Sequence, residues 1–264
     1  MILNLTDINI SFGKNHFLGP INASFENGCL NLIVGRSGSG KSTLLKLLAG
    51  FHKEFTGSIT LDYDKFIPDG NISLTFQNPE TIFFNSTVFD VVSYSLKISN
   101  LKEKEIKEKT NKWLKTWGLS SALYSEKYPF NLSGGEKRRV ALAACTILEP
   151  KVILLDEPVA GLDRVGQKDL SEIINSLAKE HIVIIVTHEP ELLINNNSHI
   201  LFIDGVYTKE FNVNDFLSKA IQNSDFYPLP EWYVENLKYY VNSQKLPIVK
   251  AEEVANFLEN QKNK

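Results

Sequence analysis

The chain has 264 residues, 43% hydrophobic and 22% charged, with a net charge of −3; this is the make-up of an ordinary folded protein long enough for a full core. That balance speaks against general nucleic-acid binding, which carries a strong basic excess. No apolar run reaches the ~18 residues of a membrane span. Its start, Met-Ile-Leu-Asn-Leu-Thr-Asp, lacks the flank and apolar stretch of a signal peptide, so a cytosolic chain is expected.

Residues 1–34 alternate apolar and polar positions, broken at Gly13, Gly19-Pro20 and Asn27-Gly28, and predict short β-strands. Cys29 and Cys145 have no metal-ligand spacing and read as small core residues in a reducing compartment. The apolar run Leu30, Leu32, Ile33, Val34 feeds Gly35-Arg36-Ser37-Gly38-Ser39-Gly40-Lys41-Ser42-Thr43, and a helical pattern of Leu44, Leu45, Leu47 and Leu48 follows. Strand, glycine-rich loop and helix in that order aim backbone N–H groups and a positive helix end at one anion. Lys41 has the reach for terminal phosphates and the Ser42 hydroxyl suits Mg²⁺, so the segment predicts binding of a nucleoside triphosphate.

Residues 57–62 and 72–76 read as two further strands. Helices are expected from Thr87 to about Leu119, with Trp113, Leu114 and Trp117 on one face and a charged, solvated stretch at Lys102–Lys112. Two adjacent aromatics, Phe83 and Phe84, are hard to bury on one side of a loop, so at least one is expected to be exposed or in a groove. From Glu136 a helix, the strand Val152–Leu155, a helix at about 166–180 and the strand Ile182–Val186 predict a parallel sheet covered on both faces. From Asp215 a tail punctuated by Pro228, Pro230 and Pro247 predicts helices near 230–242 and 250–261.

Two further motifs carry chemistry. Val152-Ile-Leu-Leu-Asp156-Glu157-Pro158 ends an apolar strand in two carboxylates. Asp156 is placed to hold Mg²⁺ at a strand's carboxyl end, and Glu157 is a candidate base for a water attacking the γ-phosphate. Leu132-Ser133-Gly134-Gly135-Glu136 opens a helix with a capping box between Ser133 and Glu136. Capping alone explains that pair. The two glycines instead expose N–H groups at a positive helix end, which suits a close anion. The chain therefore carries two phosphate-type sites.

The order phosphate loop, Gln77, LSGGE, ILLDEP, Ala160-Gly-Leu-Asp163, Thr187-His188 resembles the nucleotide-binding subunit of ATP-binding-cassette (ABC) transporters over residues 1 to about 210. The resemblance implies an α/β P-loop NTPase cassette: a parallel core sheet, an N-terminal antiparallel β-subdomain and a helical subdomain at about 85–133. It sets the cassette at 1–212 and a small helical domain at 213–264. It implies that Gly35 to Thr43 bind ATP phosphates, with Ser42, Gln77 and Asp156 on Mg²⁺. Gln77 would also contact the attacking water. Ser133, Gly134, Gly135 and Glu136 would complete the ATP site of a second subunit. Asp163 would couple the two sites, and His188 would act as a γ-phosphate switch beside the base Glu157. Phe12 sits where the family stacks an aromatic on adenine, with a core position as the alternative. Val159, Ala160-Gly161 and Phe12 depart from commoner residues but remove no catalytic group, so an active ATPase is implied.

Phe76-Gln77-Asn78-Pro79-Glu80, Phe83-Phe84, Thr87-Val88 and Pro129-Phe130-Asn131 resemble the energy-coupling-factor (ECF) branch. Thr81-Ile82 stands where that branch often has Asp-Gln, leaving out an acidic residue that would meet a partner arginine. The branch implies a vitamin or transition-metal-ion importer at the cytoplasmic face of the membrane. Its partners would be a second ATPase subunit (a copy or a paralogue), a transmembrane coupling subunit and a substrate-binding membrane protein, with no nucleic acid. Another ABC importer branch remains open. A soluble ABC ATPase would need a coiled-coil insertion or a tandem cassette, and a GTPase an Asn-Lys-x-Asp motif; the sequence has none of these.

Overall fold

The computed structural model describes residues 1–12, 16–66, 68, 70–75, 78–99, 101–222, 229–231 and 233–235. Gln77, most of 230–242 and all of 250–261 lie outside the described residues, as does the side chain of Phe12.

Strands β1 (Ile2–Phe12) and β2 (His16–Glu26) pair antiparallel. β2 continues through Gly19-Pro20, so the expected break there is corrected. It is an edge strand, and register shifts between Leu5 and Ile10 of β1 absorb the irregularity; a proline without an N–H is tolerated at such places. β3 (Leu30–Val34) leads through the phosphate loop to α1 (Lys41–Leu48). β4 (Phe55–Leu61) and the two-residue β5 (Asp64–Lys65) complete a four-stranded antiparallel sheet ordered β2-β1-β4-β5. After β6 (Ile72–Thr75) and a 3-10 turn at Pro79–Ile82 come α2 (Val88–Ile98), α3 (Glu103–Thr116) and the single turn α4 (Ser121–Tyr124). A 3-10 turn at Pro129–Asn131 precedes α5 (Gly134–Thr146), followed by β7 (Val152–Asp156), α6 (Arg164–Leu177) and β8 (Ile182–Val186). A 3-10 turn at Pro190–Leu192, β9 (His199–Asp204), β10 (Tyr207–Asn212) and α7 (Val213–Gln222) follow.

The second sheet runs β10-β9-β3-β8-β7-β6. Its inner strands are parallel, as expected, and β10 pairs antiparallel with β9, so the sheet is mixed at one edge. The short turn Gly205–Val206 dictates this, because a parallel return needs a dozen or more residues.

Both faces of this sheet are buried, in strict alternation. Leu30, Leu32, Val34, Ile153, Leu155, Val183 and Ile185 enter one core with α2, α3, α5 and α6. Ile33, Val152, Leu154, Ile182, Ile184 and Val186 enter another with α1 and the antiparallel sheet. Trp113, Leu114 and Trp117 are buried in the first core, and the Trp113 indole N–H donates to Thr146 Oγ1 (3.1 Å), tying α3 to α5. Val213, Phe216, Leu217, Ala220, Leu229, Tyr233 and Val234 join that core as well. Both cysteines are free and intermediate in exposure, and burial raises both thiols, that of Cys145 to about 11. No helix among the described residues is long and apolar enough to cross a membrane.

Candidate active site

The loop after β3 has little freedom to be anything else. Gly35 has φ +151°, and a Cβ there would lie 1.9 Å from the Ile203 carbonyl oxygen. Gly40 has φ +103°, and its Cβ would meet Leu18 Cδ2 at 2.7 Å. Larger residues at either place would push the loop off the sheet. Lys41 is buried, and its ammonium donates to the Gly35 and Arg36 carbonyls, both at 2.8 Å. The lysine thus holds the loop closed from inside. Arg36, Ser37, Gly38 and Ser42 are exposed, Thr43 is half-buried, and Ser39 is buried with a hydroxyl that has no hydrogen-bond partner.

The carboxyl ends of β7 and β8 bring the acidic groups to the same place. Glu157 has φ +50°, unusual for a side chain with a Cβ. Its N–H donates to Val186 O (2.9 Å), and its Oε2 accepts from the His188 N–H (3.3 Å). Oε1 is buried without a hydrogen-bond partner and lies 3.7 Å from His188 Nε2. Strain of this kind, about 1–3 kcal/mol, collects at functional sites. Burial pushes the Glu157 carboxyl above its ordinary range; Asp156 adds to the rise, and the His188 N–H and Lys41 oppose it. Burial also raises Asp156, against the neighbouring Ser42 hydroxyl and the Lys46 and Lys41 charges. Burial, helped by the Lys41 charge, lowers His188. Lys41 is itself lowered by burial, against the pull of Glu157 and Asp156.

These groups line one cleft of about 280 Å³, shared by Ser37, Gly38, Gly40, Thr43 and Val186. A more open cavity of about 400 Å³, at Thr116, Arg139, Asp169 and Glu172, gathers none of the phosphate-loop residues. Ser133, Gly134, Gly135, Glu136 and Asp163 do not line the cleft. Ser133 and Glu136 form the capping box at the start of α5, with Ser133 N–H to Glu136 Oε2 at 2.8 Å and Glu136 N–H to Ser133 Oγ at 3.4 Å. Ser133 and Gly134 are exposed. Asp163 is exposed and caps α6, its Oδ1 accepting from Gly166 N–H at 2.8 Å.

The ABC transporter family profile matches residues 18–160. The chain belongs to the ABC transporter ATPase family. As such it binds ATP, and its ATP hydrolysis is coupled to transport. EcfA1 of Thermotoga maritima, an energy-coupling factor transporter ATP-binding protein, is 38% identical over 197 residues, 73% of this chain and 75% of the relative. EcfA2 of Clostridium perfringens, also an energy-coupling factor transporter ATP-binding protein, is 36% identical over 219 residues, covering 76% and 77% of the two chains. The solved structure of CbiO1 from Clostridium perfringens, part of the ABC transporter complex CbiONQ, superposes with a TM-score of 0.71 at 26% identity, covering 84% of this chain and 94% of that one.

In this ABC ATPase Lys41 and Ser42, at the start of α1, meet Asp156, Glu157 and His188 from the ends of β7 and β8 in one cleft. Gln77 lies outside the described residues, and the side chain of Phe12 is not described. Sequence reasoning missed Tyr124, whose hydroxyl donates to Glu136 Oε1 at 2.7 Å; a tyrosine in a short turn gives no signal until the turn is folded against α5. It also missed Glu191, a buried carboxyl pushed up to about 7 by burial, three residues after His188. Of the paired aromatics, Phe83 is 7% exposed and packs edge-on against Phe130, while Phe84 is 65% exposed and packs against Tyr94.

Proposed function

We propose that the chain is one of two cassettes of an ECF-type importer. ATP lies between the phosphate loop of one cassette and the LSGGE turn of the other, and hydrolysis drives uptake of a vitamin or transition-metal ion. The observation that carries this reading is the separation just described. The cleft gathers Ser37, Gly38, Gly40, Lys41, Ser42 and Thr43 of the phosphate loop with Asp156, Glu157 and His188 of the strand ends, while a second anion-suited helix start, with two glycines and its own cap, stands outside it. A helix start with exposed residues is a ready anion site.

Gly35, Arg36, Ser37, Gly38, Ser39, Gly40, Lys41, Ser42 and Thr43 hold the phosphates. Among the described residues no cluster of three or more His, Cys, Asp or Glu builds a metal centre. The oxygen donors Ser42 and Asp156 on one wall suit Mg²⁺, which takes one or two protein ligands together with substrate phosphates. When bound, Mg²⁺ offsets phosphate charge. Gln77, outside the described residues, would add a contact to Mg²⁺ and the attacking water. Glu157 takes the proton of that water through its unpartnered Oε1, a task its raised pKa suits. His188 reads the γ-phosphate, Asp163 couples the two sites, and Phe12 stacks on adenine.

The surface formed by Phe84, Tyr94, Tyr128 and Phe130, all partly or well exposed, takes a short apolar helix from a transmembrane coupling subunit. The chain therefore works at the cytoplasmic membrane face, beside that subunit, a substrate-binding membrane protein and a second cassette. The names of the ECF and CbiONQ relatives support these partners.

Glu157→Gln tests the chemistry. Turnover falls by about 10²–10⁴, while ATP still binds. Near-normal hydrolysis would remove Glu157 from the mechanism.

A further inference from the structure

The capping box at the start of α5 needs one oxygen of Glu136, and Oε2 supplies it to the Ser133 N–H. The other oxygen is used as well. Oε1 accepts a 2.7 Å hydrogen bond from the phenol of Tyr124, the last residue of α4. The two contacts hold the Glu136 carboxyl below its ordinary range, the Ser133 N–H more strongly than the phenol. The Tyr124 ring packs on the main core and carries the Lys127 ammonium 4.2 Å from its centre.

The turn that follows Tyr124 does a second job. Carbonyls of Ser125 and Lys127 accept from the Phe89 and Val88 N–H groups, both at 3.0 Å. These are N–H groups of the first turn of α2, which have no partner inside the helix. α2 also carries Tyr94, packed against the exposed Phe84. The next residue on α5 makes a matching tie. Lys137 pairs with Glu80 (2.6 Å) in the turn at Pro79–Ile82 and lies 6.0 Å from the Phe130 ring centre. Consecutive residues at the start of α5 are thus fastened to two neighbouring segments: Glu136 to the turn that caps α2, and Lys137 to the turn at Pro79–Ile82 and the Phe130 ring.

We propose that Tyr124 is a positioning residue, which through Glu136 fixes the LSGGE turn relative to α2 and so transmits the state of the aromatic surface to that turn. This rests on reading LSGGE as the phosphate contact for a second cassette. One side of the chain then learns whether its membrane-facing surface is engaged through a hydrogen bond and two backbone caps.

Tyr124→Phe removes the hydroxyl alone and keeps the ring under Lys127. The full chain in its transport complex is assayed for ATP turnover, and the isolated chain for ATP binding. Turnover is expected to fall about tenfold, the loss of one charge-assisted hydrogen bond, with ATP affinity unchanged. Glu136→Ala approaches the same tie from the other end, and the double variant is expected to be no slower than Glu136→Ala alone. Wild-type turnover in Tyr124→Phe, a parallel loss of ATP affinity, or additive losses in the double variant would each overturn the proposal. Gly135→Asp, measured alongside, separates the two levels. If it turns over at the wild-type rate, the two-cassette reading falls and the proposal with it. If it is inactive while Tyr124→Phe is fully active, the proposal alone falls.

Discussion

At the ends of β3, β7 and β8, Lys41, Asp156, Glu157 and His188 converge from three strands on one cleft, and each is held by its own chain. At the start of α5, Ser133 and Gly134 stand exposed, with a completed capping box, outside that cleft. The first region spends its hydrogen bonds on placing charged groups near one another. The second spends them on keeping a helix start rigid, and Tyr124 adds to that rigidity from the neighbouring turn. The contrast separates two arrangements of anion-suited groups: one gathered in a cleft, the other held at an exposed, capped helix start.

The sharpest way to break this contrast is on the cleft side. Lys41→Ala removes the cation that closes the loop onto Gly35 and Arg36. ATP affinity of the isolated chain should drop about 10- to 100-fold, the worth of a charged hydrogen bond to phosphate, as read by equilibrium binding. The same affinity in the variant as in the wild type would mean that the loop N–H groups alone suffice.

A smaller effect probes the support behind the cleft. Glu191 sits in the turn after His188, beside the buried Tyr233, and its raised pKa means that the folded protein prefers it protonated. The stability this gives is present below the ordinary carboxylate range and is lost as pH rises to about 7. Glu191→Gln should therefore match the wild type in melting temperature near pH 5 and exceed it near pH 8. A constant difference across that range would place the carboxyl in contact with solvent or a cation.

Much of the cleft was legible in the sequence because its parts are local. A strand, a glycine loop and a helix are contiguous from Leu30 to Leu48, and Asp156-Glu157 and His188 each follow an unbroken apolar strand. Alternation along those strands could not reveal which neighbours they take, since both faces are buried. What escaped depends on contacts between distant segments. β2 passes Gly19-Pro20 because its partner β1 shifts register, and β10 turns antiparallel because it pairs with β9 through a two-residue turn. The capping box was readable from Ser133 and Glu136, but the use of its second oxygen by Tyr124 was not, because that bond forms only when α4 folds against α5.

If LSGGE serves a nucleotide held by another chain, as proposed, Gly135→Asp should separate ATP binding from ATP turnover. Gly135 has ordinary helical backbone, and a Cβ there meets only Leu162 Cδ2 at 3.8 Å, so the substitution leaves the fold intact. It places a carboxylate where a γ-phosphate would dock, and like charges at that range oppose each other. The measurement is ATP affinity of the isolated chain against ATP turnover of the assembled complex. Affinity is expected to be unchanged, with turnover lost and not restored by more ATP. A fall in affinity equal to the fall in turnover would contradict it, since LSGGE would then be reading its own chain's nucleotide.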